Sequence, residues 1–451
     1  MKWLNYLSVL NVRFEVKMRI LKEGGIYLLS SVLEKALPFI LLPFLTRILT
    51  VDEYGLIAMF STLVAMYSLA GSTGLHGFIR VIYHKVEVNK FKQYVGISFS
   101  IAIFLYILVV IFTVVFNPVL EKITGLYFNF LFLALLVSVA MFVINMRLVI
   151  YQTSRNPYEF AKLQLLKLVL EGMFVLILIF YLEGGGKERV YSMVLACVIA
   201  ALLSLVSLSK DSMLNLSWDN SYAKHIMGFV FPALPHSLIL SSVFVIDKVV
   251  LSSFVGLSMV GEVAVALSLA MPMLVIAESF NRAFMPWSFD KLQKSKFEQV
   301  VGGSYFLLII MFILSIAYSF FLIVFFDYLV GDDFLNTLVP TLILVWAGWL
   351  KLAYYLAAKG LLFIERVGVI SYISFISSVV YFILLLANIE TITLIDFSCY
   401  VLSFHFMMAF GVFLLSQKLF PQPWGRLRAL KNVMEPVYSK TLFCLKRRNE
   451  N

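Results

Sequence analysis

Three cysteines in a chain of 451 residues exclude a disulfide framework, because Cys197 and Cys399 fall inside apolar runs and Cys444 near the C-terminus, with no shared spacing. The five histidines, His76, His84, His225, His236 and His405, are equally scattered and offer no metal-ligand spacing. There is no HExxH and no glycine-rich phosphate loop, so neither a metalloprotease nor a nucleotide-driven pump is written into this chain. Charge is scarce too: 14% of residues are charged against 61% hydrophobic, too few to clothe a water-soluble fold. Away from the termini the segments between apolar runs are about 15 residues or shorter, which leaves no room for an extramembrane catalytic domain. The segment Asn117 to Leu126 holds only Glu121 and Lys122 as charges.

What the chain has instead is apolar length. Runs of roughly 20 residues, enough to cross a bilayer, recur at about 24–49, 55–80, 94–116, 127–150, 163–183, 190–210, 225–254, 256–286, 301–326, 336–358, 367–387 and 394–417. Twelve membrane-spanning helices are expected, in an all-α polytopic membrane protein. The first 23 residues read as a cytoplasmic amphipathic lead-in rather than a signal peptide, since Asn5 interrupts their apolar run and no small-residue cleavage site follows.

The connecting segments carry the orientation. If the N-terminus is inside, the inner segments hold Lys2, Arg13, Lys17, Arg19 and Lys22; Lys85, Lys90 and Lys92; Arg155 and Lys162; Lys224; Lys291, Lys294 and Lys296; Lys359 and Arg366. The tail adds Lys418, Arg426, Arg428, Lys431, Lys440, Lys446, Arg447 and Arg448, making 24, while the outer segments hold Lys122, Lys187 and Arg189, making 3. Such an asymmetry places both termini in the cytoplasm and fits an even helix count. The net charge of +10 is then a topology signal lying against anionic headgroups, and no nucleic-acid partner is expected. A second reading of the basic tail is a docking surface for a partner protein.

The first apolar run, GIYLLSSVLEKALPFILLPFLTRILTVDEYG, carries Glu34 and Lys35 near its middle and Pro38 and Pro43 beyond them. Charges at membrane depth are costly and face a partner or a water-filled cavity, and prolines free carbonyls that something must satisfy. A shift of 206 residues lays RILTVDEYGLIAMFSTLVAM (47–66) on SFVGLSMVGEVAVALSLAMP (253–272), with Gly55 on Gly261. The shared pattern, a long helix with two prolines, a turn, a glycine and another apolar helix, predicts an internal repeat of two six-helix bundles. Substrate sites in repeats of this kind lie between the halves near the midplane. The expected organisation is a lead-in (1–23), an N-terminal bundle (24–210), a cytoplasmic linker (211–224), a C-terminal bundle (225–417) and a basic cytoplasmic tail (418–451).

EKALPFILLPFLTRILTVDEYG resembles the opening signature of bacterial polysaccharide repeat-unit flippases of the Wzx type, within the multidrug/oligosaccharidyl-lipid/polysaccharide exporter superfamily. LPHSLILSSVFVIDKVVLSSFVGLSMVGEVAVA (234–266) is similar to their entry into helices 7 and 8, SFNRAFMPWSFDKL (279–292) to the end of helix 8, and YQTSRNPYEFAKLQ (151–164) to the loop after helix 4. The resemblance departs at Glu262, where a tyrosine or small residue is common. It implies a V-shaped central cavity between two bundles in the cytoplasmic membrane of a bacterium. It also implies a function: undecaprenyl-diphosphate-linked oligosaccharide, of O-antigen or capsule type, turned from the inner to the outer leaflet by alternating access. The expected partners are that substrate, membrane lipids and other glycan-assembly proteins. No cofactor is expected, and coupling to a proton or sodium gradient is the natural drive. Two rivals stand beside this reading, a multidrug exporter of the same superfamily and an integral-membrane glycan polymerase or acyltransferase.

A diphosphate, a sugar head and a lipid tail need cations, a hydrated cavity and a lateral gap. Glu34, Lys35, Asp247, Lys248 and Lys351 have no charge partner at i±3 or i±4 on their own helices. At about 2.5–3.5 kcal/mol each near a helix centre, they must face the interior, and they are the expected cavity-lining, substrate-binding set, with locks between the bundles as the alternative. Lys35 lies roughly 15 Å and Lys351 roughly 12 Å from the cytoplasmic ends of their helices, by a rise of about 1.5 Å per residue. Arg80, Arg147, Arg282 and Lys359 gather near cytoplasmic helix ends as a phosphate-catching mouth, or else snorkel to headgroups. The spacing pairs Lys167 with Glu171 and Glu278 with Arg282 at i,i+4. Trp346, Trp349, Tyr354 and Tyr355 surround Lys351, to pack the core or to stack against sugars.

Overall fold

A computed structural model describes residues 25–425, except 28, 31, 35, 73, 216 and 217, with backbone alone over 232–244. Lys35 and the basic segment beyond 425 therefore lie outside the described residues. Among those described the chain is all helix, with no strand. Eleven helices are long and apolar enough to cross a membrane: α1 (Gly25–Ile48), α2 (Val51–Ser72), α4 (Val88–Val115), α6 (Phe128–Thr153), α7 (Pro157–Val175, prolonged by a π-turn to Tyr181), α8 (Gly186–Lys210), α10 (Leu257–Gln293), α11 (Phe297–Leu329), α12 (Leu338–Phe363, led by a 3₁₀ turn from Asp332), α13 (Val367–Ala387) and α14 (Leu394–Leu419). The helix α9 (Asn220–Phe254), 35 residues long, stands where the seventh of the twelve spans, 225–254, is expected. Two short helices complete the set, α3 (Leu75–Ile82) and α5 (Asn117–Thr124).

These helices are apolar nearly all round, as lipid-immersed helices are. In α11 the exposed positions Ile309, Ile313, Ile316, Phe320 and Ile323 follow one another at three- and four-residue steps, a stripe that water would not tolerate at this size. Serines and threonines inside the helices turn back on the preceding turn, as when Ser98 Oγ donates to Tyr94 O at 2.8 Å and Thr113 Oγ1 to Val109 O at 2.8 Å. Their hydroxyls thus need no water. Proline sits inside α10 at Pro272 and Pro286 without ending it.

The spans run past their sequence-based ends where the first or last turn is polar. The fourth apolar run, for example, ends in the helix at Thr153, and the fifth begins at Pro157, capped by Asn156. Proline at a first helical position costs nothing because its amide would be unpaired there. The expected single helix over 55–80 is in fact two, α2 and α3, broken at Gly74, whose φ of 82° only glycine adopts freely.

The chain divides into two compact units, Met1–Gly261 and Glu262–Asn451. In the first, α6 is central: 72% of its apolar window is buried, and it packs against α2 and α8, with α7 on α8 and α9 against α2, α3, α4 and α5. In the second, α12 packs along α14, flanked by α11 and α13. Ala357, Ala358, Leu361, Ile370 and Val412 form a buried cluster there, small residues letting the helices approach closely.

The repeat is visible in the order of elements. Val51 answers to Leu257, Val88 to Phe297, Phe128 to Leu338, Pro157 to Val367 and Gly186 to Leu394 as helix starts, an offset of 206 to 210 residues throughout. Within the first unit it also appears as a contact. A Cβ on Gly55 would strike the carbonyl oxygen of Leu257, and one on Gly261 that of Val51. Residues 51 and 257 are themselves 206 apart, so the contact is reciprocal in the way a two-fold interface is.

Candidate functional site

Inside the first unit the charges of the apolar runs meet one another across three helices. Glu34 on α1 accepts from Gln164 Nε2 at 2.8 Å and from Lys167 Nζ at 3.1 Å, both on α7. One turn further along α7, Glu171 accepts from Arg189 Nη2 at 2.7 Å, reaching α8. Arg189 Nη1 donates to Ser192 Oγ at 3.0 Å. The expected Lys167–Glu171 pair on one helix is replaced by these two bridges. A same-helix pair is worth only about 0.2–0.5 kcal/mol, whereas each buried ion needs a near partner to offset its desolvation. Arg189, counted from the sequence among outer-loop cations, is 5% exposed and belongs to this network. Cys197 lies beside it on α8, its sulfur 4.0 Å from that of Met141.

A second constellation stands where α6 and α8 end. Arg147 is 5% exposed. Its Nη2 lies 2.6 Å from Asp211 Oδ2, and its guanidinium stacks 4.2 Å from the Tyr151 ring. Its Nε is buried without a hydrogen-bond partner among the described residues. Around it opens a cavity of about 620 Å³, to which Tyr83, Asn156 and Glu159 also contribute. Arg147 itself is buried, and its guanidinium meets its counter-ion at the rim, where Asp211 at the end of α8 is 45% exposed at its side chain. Arg80, by contrast, is exposed at the last turn of α3.

Asp247 on α9 is 2% exposed. Its Oδ1 accepts the backbone N–H of Lys248 at 2.7 Å, and it takes part in further interactions. Lys248 is half-buried. Just beyond them, Ser252 Oγ donates to Thr124 O at 2.8 Å and Ser253 Oγ to Ile123 O at 2.9 Å, fastening the end of α9 to the end of α5.

In the second unit Lys351 is half-buried, with Nζ 5.9 Å from the Tyr355 ring. Tyr355 in turn lies 5.3 Å from Tyr354. Trp346 and Trp349 turn to Phe312, and Trp349 Nε1 donates to Leu308 O at 3.0 Å, so these two indoles pack the core. Arg282 pairs with Glu278 at i,i+4, as the spacing predicts, and is largely exposed. Lys359 does not snorkel: it is fully buried, with Nζ 3.8 Å from the Phe284 ring and no hydrogen-bond partner among the described residues. Glu262, where the sequence departs from the resemblance, accepts from Asn336 Nδ2. Among the described residues no group of three or more His, Cys, Asp or Glu is placed to hold a metal.

A model of the polysaccharide biosynthesis protein family matches residues 20–292. The chain belongs to that family. Two proteins of Haemophilus influenzae are similar to it. The "Lsg locus putative protein 1" is 21% identical over 62% of this chain and 68% of its own length, and an "uncharacterized membrane protein" is 21% identical over 61% and 67%. Among solved structures, an inward-facing multidrug resistance MATE family transporter of the MOP superfamily superposes with a TM-score of 0.67 at 13% identity, covering 85% of this chain and 94% of that one. The lipid II flippase MurJ, in an inward closed conformation, gives 0.66 at 12% identity, with 92% of each chain covered. The fold of this family member is therefore the transporter fold shared by those two proteins, an all-helical polytopic membrane fold.

Proposed function

We propose that the protein flips undecaprenyl-diphosphate-linked oligosaccharide repeat units, of O-antigen or capsule type, from the inner to the outer leaflet of a bacterial cytoplasmic membrane by alternating access. The observation that carries this reading is the conjunction of family and fold: a polysaccharide biosynthesis protein built on the fold of a lipid II flippase. A glycan assembled on a lipid carrier at one leaflet needs passage to the other, and this fold handles passage.

In that reading Lys35, Lys248 and Lys351 supply cations for the diphosphate, and Tyr354 and Tyr355 beside Lys351 offer faces to the sugar. Asp247 and Glu34 are the carboxylates that respond to a proton or sodium gradient. Arg80 and Arg282, exposed at helix ends, make first contact with the headgroup. The basic loops mark the cytoplasmic side, and further glycan-assembly proteins meet the protein there.

The decisive experiment deletes the gene and follows surface glycan together with its lipid-linked precursor. Loss of surface glycan, with precursor accumulating on the cytoplasmic leaflet, is the expected result. Accumulation of unpolymerised units on the outer leaflet would instead indicate a polymerase. The likeness to a multidrug MATE transporter favours one second reading, drug export. In that case deletion leaves glycan intact and lowers resistance to cationic compounds.

A further inference from the structure

We propose that the cavity around Arg147 is a saccharide-binding pocket, built wholly by the first unit at the end that carries the basic loops. This rests on the reading that the transported lipid bears a glycan. The cavity, about 620 Å³, has the size of ordinary small-ligand sites and takes a mono- or disaccharide.

Its chemistry is that of polyol recognition. Arg147 offers a planar fork of donors held rigid by the Tyr151 ring beneath it, 4.2 Å away. One of those donors, Nε, is buried with no partner among the described residues. Asp211 is bonded to Arg147 through Oδ2 and remains 45% exposed at its side chain, which leaves acceptor capacity for hydroxyls. Asn156 and Glu159 add further acceptors from the start of α7, and Tyr83 brings an aromatic face from the segment after α3. Adjacent sugar hydroxyls both donate and accept, so donors and acceptors must be mixed, as they are here. The rim argues against an anion. Among the lining residues one guanidinium stands with two carboxylates, Asp211 and Glu159, which is not the cluster of cations that a phosphate seat needs, whereas a neutral sugar meets hydrogen-bonding capacity. Arg147 lies six residues from the last residue of α6, Thr153, or about 9 Å of helix rise. A headgroup sugar reaches that depth without its lipid leaving the bilayer.

The test uses the full chain in nanodiscs of neutral lipid and saturation-transfer NMR, which detects weak sugar binding. The probes are a mixture of neutral hexoses, N-acetylhexosamines and hexuronic acids, with inorganic diphosphate as a separate arm. Saturation transfer to at least one sugar is expected. It should weaken by about tenfold in Asp211→Asn, the fold-change of one hydrogen bond to a charged group, and vanish in Tyr83→Ala. Tyr83 is only half-buried, so the fold should tolerate its loss, and a melting curve identical to the parent checks this. No transfer to any sugar overturns the proposal, as does transfer that both variants leave unchanged. Diphosphate bound with no sugar competition overturns it too and makes the pocket an anion seat. A UDP-hexose arm separates sources: transfer to the hexose protons alone fits a lipid-linked glycan, whereas transfer to the uracil protons makes it a nucleotide pocket and overturns the proposal. Sugar binding that persists when gene deletion leaves surface glycan intact would sink the flippase reading and spare the pocket.

Discussion

Glu171 and Arg189 are 14% and 6% exposed at their side chains, so each is the other's main relief from an apolar surround. Removing one partner of such a buried pair costs about 3–5 kcal/mol, while replacing both with apolar groups of similar size is often neutral. Glu171→Leu and Arg189→Met should therefore each lower the melting temperature of the detergent-solubilised protein, and the double variant should recover most of the loss. A double variant worse than either single would mean that Ser192 and the other neighbours of Arg189 matter more than the pair. At Lys351, the half-buried cation beside Tyr355, Lys351→Ala should abolish glycan export with protein amounts unchanged, and Lys351→Arg should be milder because charge is kept. Normal export from both variants removes Lys351 from the cavity set. The sequence marked Glu34, Asp247, Lys248 and Lys351 as interior because lipid has no place for them; Asp247 is buried and the other three are half-buried. It could not name their partners: Lys167 and Glu34 lie 133 positions apart and Arg189 and Glu171 lie 18 apart. Periodicity along one helix carries no information about which face of another it meets. Asp211 escaped notice for the same reason, since a carboxylate just past a helix end looks like any loop charge until Arg147 is seen beneath it.

At the scale of elements, helix number, order and type were legible, because twenty-residue apolar runs admit little else. Helix ends were less so: the polar first and last turns of α4, α7 and α10 continue the helix past the apolar run. The break between α2 and α3 was also missed, although GSTG (71–74) contains the residue that makes it. Glycines divide sharply by surroundings. Gly172, in the last turn of α7 before the π-turn that prolongs it, has open space where a Cβ would go, so Gly172→Ala should be neutral or stabilise by up to about 1 kcal/mol through helix propensity. Gly55 and Gly261 have the opposing backbone there instead, so Gly55→Ala and Gly261→Ala should both destabilise by forcing residues 51–55 and 257–261 apart within the first unit. Thermal melts of the three variants read this directly. Equal effects at positions 172 and 55 would mean that the close approach does not hold in the membrane.

At the scale of the whole molecule, the charge pattern makes a prediction about orientation. The asymmetry of basic residues predicts that the loops near Asp52, Gly185 and Asp332 lie outside and that near Lys294 inside. With Cys399 and Cys444 replaced by serine, cysteines at the first three sites should react with an impermeant thiol reagent in sealed cells, and one at position 294 should not. Reaction at 294 inverts the topology.

Energy coupling is a second prediction at this scale. A carboxylate that binds a proton or sodium ion unequally in two states shifts their populations only by that difference in affinity. Asp247 and Glu34 differ as handles. Glu34 is already engaged by Lys167 and Gln164, so Glu34→Gln should act mainly by loosening α1 from α7. Asp247, 2% exposed, sits on α9 next to the seam that Ser252 and Ser253 make with α5, where a change of charge would be felt by the packing of a whole helix. We therefore expect flipping in vesicles to respond to an imposed pH or sodium gradient, Asp247→Asn to remove that response, and Glu34→Gln to slow flipping at every gradient while leaving the response in place. Wild-type flipping indifferent to both gradients would leave diffusion down the lipid gradient as the drive. A response that survives Asp247→Asn but not Glu34→Gln would move the handle to α1.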